Sequence, residues 1–432
     1  MIGLVEYPQV LVGKIDQKFL SVPSEILVNA MRTHQKYFSL FDKDGNFAPY
    51  FLFVSNIVST DTDVVVSGNE KVLSARLADA LYFYNQDLKT SLQTKAQRLD
   101  KVIFHAKLGS VREKTLRLAE IVKFIDPSNK HAVQAALLCK SDIVSEVVDE
   151  FPTLQGIMGY YYAKAESLGS EVAVAIRDHY KPQGPADHCP TNTAAILALA
   201  DKMDSLCGLM LAGEKPSGSK DPFALRRQAL GIIRIILENK IPINLLSLVV
   251  FVANEYKGKL AVRDELKQQI ISFLEERLKY FFKDHYEVAV ITSVLDLNIE
   301  SDLIEVQSKL QAIKEFLSSI DGDNLLVAYK RASNILGTTE LQGKIDESAF
   351  ISEHEIALFS IVNICDGEIT ESIASKNYTE SLQLLAAMRD PISKFFDNVM
   401  VKDKDAIVAN NRMLLLATVR HVFDKIANFD KL

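Results

Sequence analysis

The sequence predicts a mainly α, multidomain chain in which a small N-terminal α/β piece leads into a long helical array. Three observations carry that prediction. Strand-like patterns are confined to residues 1–95. Beyond them, apolar residues recur at spacings of three and four almost to the end. The chain has 432 residues, 48% of them hydrophobic and 24% charged, which is enough for several cores. A net charge of −7 spread over this length excludes a dominantly disordered chain, and 18 Gly, 12 Pro and 4 Cys exclude collagen-like and disulfide-stapled architectures. The best apolar run, residues 245–253, is far short of the roughly 20 residues of a membrane span. The opening Met1-Ile2-Gly3-Leu4 lacks the basic-then-apolar layout of a secretory signal. Cys139, Cys189, Cys207 and Cys365 form no Cys-x-x-Cys pair, so a cytoplasmic protein with reduced thiols is expected. The acidic total argues against indiscriminate nucleic-acid binding but leaves room for local basic surfaces.

In chain order, Pro23-Ser24 starts a short helix over 24–33. Residues 37–41 and 50–57 are aromatic and β-branched, and the Asp42–Asn46 stretch between them supplies turn chemistry, so they read as a hairpin. After Gly68 the pattern turns helical, with Asn69 as cap and Val72, Leu77, Ala80, Leu81 and Tyr84 on one stripe. Residues 96–238 form a helical block, with apolar stripes over 115–125, 131–151, 170–179 and 192–212. Asp221-Pro222, after the loop 213–220, predicts a helix with Asp as cap and Pro at its first position. Residues 239–322 hold further helices, the most charged over 264–282. The last block, 323–432, contains a second Asp-Pro start at Asp390-Pro391 and ends in an amphipathic helix over 412–429.

The loop 213–220, Gly-Glu-Lys-Pro-Ser-Gly-Ser-Lys, approaches a phosphate-binding loop but departs from it at decisive places. Ser219 separates the second glycine from Lys220, a helix rather than a strand precedes it, and Asp221 would repel phosphate at the helix start. Lys215, Lys220, Arg226 and Arg227 therefore read either as a capped interhelical loop or as basic contacts to an RNA backbone. In the last helix, Asn411, Arg412 and Arg420 could offer an amide and guanidinium groups to bases or phosphates. Arg420 and Asp424, four apart, could equally pair with each other.

The stretch Ala135-Ala136-Leu137-Leu138-Cys139-Lys140 resembles the helix end of HD-type phosphohydrolases, which place His-Asp where Cys139-Lys140 stand here. Asp201 matches the closing Asp. A lysine cannot replace a carboxylate beside a divalent cation, so the block reads as an HD-like helical domain with a degraded metal site. His34, His131, His179, His188 and His421 lie far from any ligand-spaced partner. A working metal-dependent phosphohydrolase and a non-catalytic helical scaffold are the alternative readings.

Several longer words resemble the β subunit of the two-subunit bacterial glycyl-tRNA synthetases. They include Thr33–Phe38, Gly68–Leu73, Lys107-Leu108-Gly109-Ser110, the run from Glu150 to Ala163 and the run from Lys215 to Arg227. Tyr329-Lys330-Arg331-Ala332 and the words around Phe395–Val401 and Asn411-Arg412 follow in order. The resemblance implies an aminoacyl-tRNA synthetase subunit without the catalytic centre, whose partners are tRNA-Gly and an alpha subunit in an alpha2-beta2 assembly. It implies that ATP and Mg are used by the alpha subunit and that no cofactor is bound by this chain. Residues 1–95 would be the end of a B3/B4-like α/β domain, 96–238 the HD-like domain, 239–322 a helical body and 323–432 a helical anticodon-binding domain like that of arginyl-tRNA synthetase. Lys215, Lys220, Arg226, Arg227, Lys330, Arg331, Asn411, Arg412 and Arg420 would face tRNA. Family chains are longer, so a fragment lacking the N-terminal part is expected.

Overall fold

The computed structural model describes residues 5–296, 302–337, 341 and 343–432, without the side chain of His34. The opening residues 1–4 lie outside this set. The chain divides into two compact units, Met1–Gly231 with Phe251–Val262, and Ile232–Val250 with Arg263–Leu432.

The first unit begins with an antiparallel three-stranded sheet, β1 (Gln9–Lys14), β2 (Phe38–Phe41) and β3 (Phe47–Ser55), in the order β1-β3-β2. The expected hairpin is β2–β3, whereas β1 went unread because a six-residue segment ending in Gly-Lys carries little pattern. Helices α1 (Ser24–Gln35) and α2 (Thr62–Asp87) lie on one face, where Phe51 and Phe53 are buried. Helix α2 starts seven residues before the expected cap. Asp61 caps it, accepting from the Val64 N–H at 3.2 Å. Three consecutive β-branched valines hide this start, since their χ1 restriction weakens the helical signal. Asn69 sits inside the helix, where its amide donates to Val65 O and accepts from the Tyr37 hydroxyl.

Next come α3 (Leu92–Arg98), the small hairpin β4 (Ile103–His105) and β5 (Gly109–Ser110), and α4 (Val111–Ile125). Ser110 and Glu113 close a reciprocal capping box on α4. The predicted stripe over 131–151 is broken into α5 (Lys130–Leu138), a 3-10 turn (Ser141–Val144) and α6 (Glu146–Glu150). Side chains compete with the backbone there. Ser145 caps α6, and Asp142 turns away to accept from the Gly156 and Gly159 N–H groups at 2.6 and 3.0 Å. Those two donors open α7 (Ile157–Ala165), which packs on α8 (Ser170–Asp178). Helix α9 (Asn192–Leu211) is buried all round, as expected of a central helix.

Helix α10 (Leu225–Asn239) starts at Leu225 rather than at Asp221-Pro222. Ala224 takes a left-handed turn (φ 53°), which folds Asp221 back so that its carboxylate accepts from the Leu225 and Arg226 N–H groups at 2.8 and 2.9 Å. The cap residue is therefore as predicted, but it acts from outside the helix. After α11 (Leu245–Asn254), the second unit continues with α12 (Asp264–Phe282), α13 (Val288–Leu295), α14 (Leu303–Leu317) and α15 (Ile320–Leu336). Helices α16 (Glu353–Ala374), α17 (Tyr378–Ala387), α18 (Arg389–Asn398) and α19 (Ala406–Asp424) complete it. Pro391 falls in the first turn of α18, where its missing N–H removes no helical bond. Helix α19 begins six residues before Arg412, capped by Asp405. Tyr329, Phe423 and Phe429 form an aromatic core with ring centroids 4.8–5.6 Å apart.

Candidate nucleic-acid interface

In the first unit the basic residues converge on three adjoining segments. The loop after α9 turns at Gly213 (φ 95°) and closes on itself through reciprocal backbone bonds between Ser217 and Lys220. Arg226 donates to Gly218 O at 2.8 Å and holds the loop against the first turn of α10. The β4–β5 hairpin braces the same loop. Lys107 Nζ donates to Ala212 O at 2.7 Å, the His105 imidazole lies 3.5 Å from Glu214, and its ring meets Phe223 edge-on. The third segment, residues 255–262, touches the hairpin from the other side. Lys259 pairs with Glu113 at 2.5 Å, and a Cβ on Gly109 (φ 91°) would collide with the Lys259 ammonium.

Lys215, Lys220, Arg226 and Arg227 thus lie on or beside a loop braced by Lys107, and Lys259 lies against the same hairpin, two lysines that the sequence did not single out. No spacing rule links position 107 to position 259; the only signal was the Lys107–Ser110 word. Lys220 and Arg227 are exposed, with no side-chain partner among the described residues. The phosphate-loop alternative fails on geometry, because Asp221 already takes the first two donors of α10.

The C-terminal candidates separate. Asn411 and Arg412 are buried and serve the fold, a correction to their expected tRNA-facing role. The Asn411 amide clasps the backbone of Asp346 from both sides, accepting from its N–H and donating to its O. Arg412 donates to Glu355 at 2.6 Å, to Asp403 at 2.7 Å and to Met400 O. A helix start at 412 puts these side chains at an exposed end, whereas the observed start at 406 carries them well over one turn inward. Arg420 is half-buried and donates to Gly337 O rather than pairing with Asp424. Lys330 and Arg331 are exposed; Lys330 reaches Leu432 O and Arg331 stacks on Phe396 near Asp397. The exposed Lys402 and Lys404 sit on the loop that Arg412 pins.

At the positions where the HD-type pattern expects metal ligands, the structure places lysines around a carboxylate. Lys140 and Lys114 both place ammonium groups on Asp201, at 3.2 and 3.1 Å, and Lys140 also lies 3.8 Å over the Tyr180 ring. Burial alone would raise the Asp201 pKa, but the two cations hold it well below the carboxylate range. Cys139 is buried and its thiol is pushed up to about 12, far from the thiolate a metal needs. Burial pushes His179 down to about 3. Among the described residues, no group of three or more His, Cys, Asp or Glu is arranged to hold a metal. The chain's own ammonium balances Asp201, so these residues do not fit a metal ion. Next to them, Asp204 accepts from Lys114, Arg117 and Tyr256.

A mainly helical protein with a cation-filled, metal-incompetent core and clustered surface lysines is the class that this geometry defines. Comparison with known sequences then gives the family. The chain belongs to the glycyl-tRNA synthetase beta subunit family, whose profile matches residues 1–296, and the DALR anticodon binding domain matches residues 325–429. The glycine–tRNA ligase beta subunit of Rickettsia conorii is 56% identical over 432 residues, covering all of this chain and 64% of that protein. Those of Rickettsia africae and Rickettsia bellii are each 55% identical, over 432 and 430 residues. The chain spans 64% of the length of the first two relatives. No helix among the described residues is long and apolar enough to cross a membrane.

Proposed function

We propose that this chain is the tRNA-binding part of a glycine–tRNA ligase beta subunit. It supports ATP-dependent attachment of glycine to tRNA-Gly in the cytoplasm, with ATP, Mg and glycine handled by an alpha subunit in an alpha2-beta2 assembly. The observation that carries this reading is the three-segment basic surface of residues 103–110, 212–227 and 255–262. A protein of net charge −7 that leaves Lys220 and Arg227 exposed and without a side-chain partner among the described residues, on a loop braced by Lys107, presents cations where a polyanion can use them. Exposed Lys330, Arg331, Lys402 and Lys404 offer a second basic area in the DALR-matched region.

Filter binding of the chain to tRNA-Gly across a salt series tests the reading. Affinity should fall log-linearly with salt, with a slope of roughly −0.7 to −0.9 per neutralised phosphate. Salt-independent binding, or none by the assembled two-subunit enzyme, would refute it.

A further inference from the structure

The N-terminal sheet is covered on one face only, yet its sequence is that of a sheet buried on both. An antiparallel sheet with one wet face alternates apolar and polar residues. Strand β3 does not: Tyr50, Phe51, Leu52, Phe53 and Val54 are consecutive, and only Phe51 and Phe53 point under α1 and α2. The register places Leu52 and Val54 beside Val12 and Val10 of β1, and Phe38 of β2 opposite Leu52 on the other side. The outer face is therefore Val10, Val12, Phe38, Tyr50, Leu52 and Val54, with Lys14 at its rim opposite Tyr50; Val10 is 64%, Val12 54%, Phe38 47% and Tyr50 42% exposed. A contiguous apolar face of this kind marks a docking surface.

The outer edge is open over residues 9–13, and only at Lys14 is its backbone N–H taken, by Glu70 of α2 at 2.7 Å. Strand β1 pairs only with β3 among the described residues, and Gln9–Lys14 holds no proline and no charge before Lys14. Edge strands that stay open are ordinarily blunted by such residues. A transient protein interface is about as polar as the rest of the surface, whereas this face has the composition of a domain interior. About a third of the length of these curated relatives lies outside the stretch that this chain matches.

We infer that the outer face of the β1-β3-β2 sheet is the inner half of an intrachain core, covered in the longer family subunits by the additional third of their own chain. The inference rests on family membership and sheet geometry, and is independent of the RNA-binding reading. The occupant presents an apolar face to Val10, Val12 and Phe38.

Thiol labelling tests it cleanly, because Cys139, Cys189, Cys207 and Cys365 are all buried. Val12→Cys, and separately Tyr50→Cys, would be made in this chain and at the matching positions of the full-length Rickettsia conorii subunit, each expressed without an alpha subunit. Maleimide labelling should be fast in the 432-residue chain and roughly tenfold or more slower in the longer one. Equal, fast labelling in both would overturn the inference. So would protection in the shorter chain that grows with protein concentration, which would make the occupant a second copy. Slow labelling of the shorter chain at every concentration would likewise overturn it, by showing that the face is already covered. Two substitution sites guard against one of them disturbing the fold, and circular dichroism checks each.

Discussion

Arg412 on α19 and Glu355 on α16 form a buried ion pair, Nε to Oε1 at 2.6 Å, with 5% and 0% of the two residues exposed. The same guanidinium holds Met400 O and Asp403, and Glu355 accepts from the Ile351 and Ser352 N–H groups. One pair thus fixes two loops of the DALR-matched region. Removing one member of a buried pair strands the other, at a cost of about 3–5 kcal/mol. Arg412→Ala should therefore lower stability by that amount in urea unfolding, while Arg412→Lys should recover only part of it because the planar fork is lost. If both variants keep wild-type stability, the pair is not structural.

Lys140 offers a second stability test. Lys140→Met should lower stability by about 3 kcal/mol or less, since Lys114 still partners Asp201. Lys114→Met should cost more, because that ammonium also serves Asp204 and Ser205. Metal analysis of the purified chain should find no stoichiometric manganese or iron, and millimolar Mn²⁺ should leave the melting temperature unchanged. Stoichiometric metal would revive the phosphohydrolase reading.

His179 makes a pH prediction. Its pKa is near 3 in the fold because of burial first and of Lys140 second, against an ordinary value of 6.5. Between those values the unfolded chain binds a proton that the folded chain refuses, so stability falls as pH drops from about 6.5 toward 3. The slope from this group approaches about 1.4 kcal/mol per pH unit. Asp142, raised to about 6 by burial, works in the opposite direction between about 4 and 6, where the folded chain holds the extra proton. Denaturant titrations of His179→Gln should show a shallower acid loss than the wild type, and those of Asp142→Asn a steeper one. Unchanged pH profiles would contradict this assignment.

Gly159 is a packing test. A Cβ there would lie 2.5 Å from Ile176 Cγ2 and 3.3 Å from Asp142 Oδ2. Gly159→Ala should destabilise by about 1–3 kcal/mol through forced repacking of α7 on α8. Thermal unfolding by calorimetry reads this directly, and a melting point at or above the wild-type value would refute the close approach.

The basic surface predicts a charge effect without a stability effect. Lys220→Ala and Arg227→Ala together should weaken tRNA binding and make the salt slope shallower by roughly 0.7–0.9 for each phosphate no longer neutralised. Both side chains are exposed, so the melting temperature should stay within a degree or two of the wild type. Arg412→Ala should show the opposite signature, with stability reduced and the salt slope nearly kept.

Some helices were legible to the residue, as in α12, whose observed bounds are those of the highly charged helix expected over 264–282. Legibility failed where side chains overrode the backbone pattern. Asp142 and Ser145 break a continuous stripe into three pieces, and Asp221 caps α10 from outside it. The same kind of error misplaced Arg412: a helix start read six residues late turns a buried ion pair into an apparent surface group. The approach of Lys259 to the β4–β5 hairpin was not legible at all, because it depends on where α11 delivers its following loop.

The ammonium of Lys140 has one consequence that no bound ion would share. It is made with the polypeptide, one per copy, and cannot be chelated, diluted or exchanged for a competitor. The cations that hold Asp201 are therefore supplied by the chain itself, in fixed number, with every copy that is made.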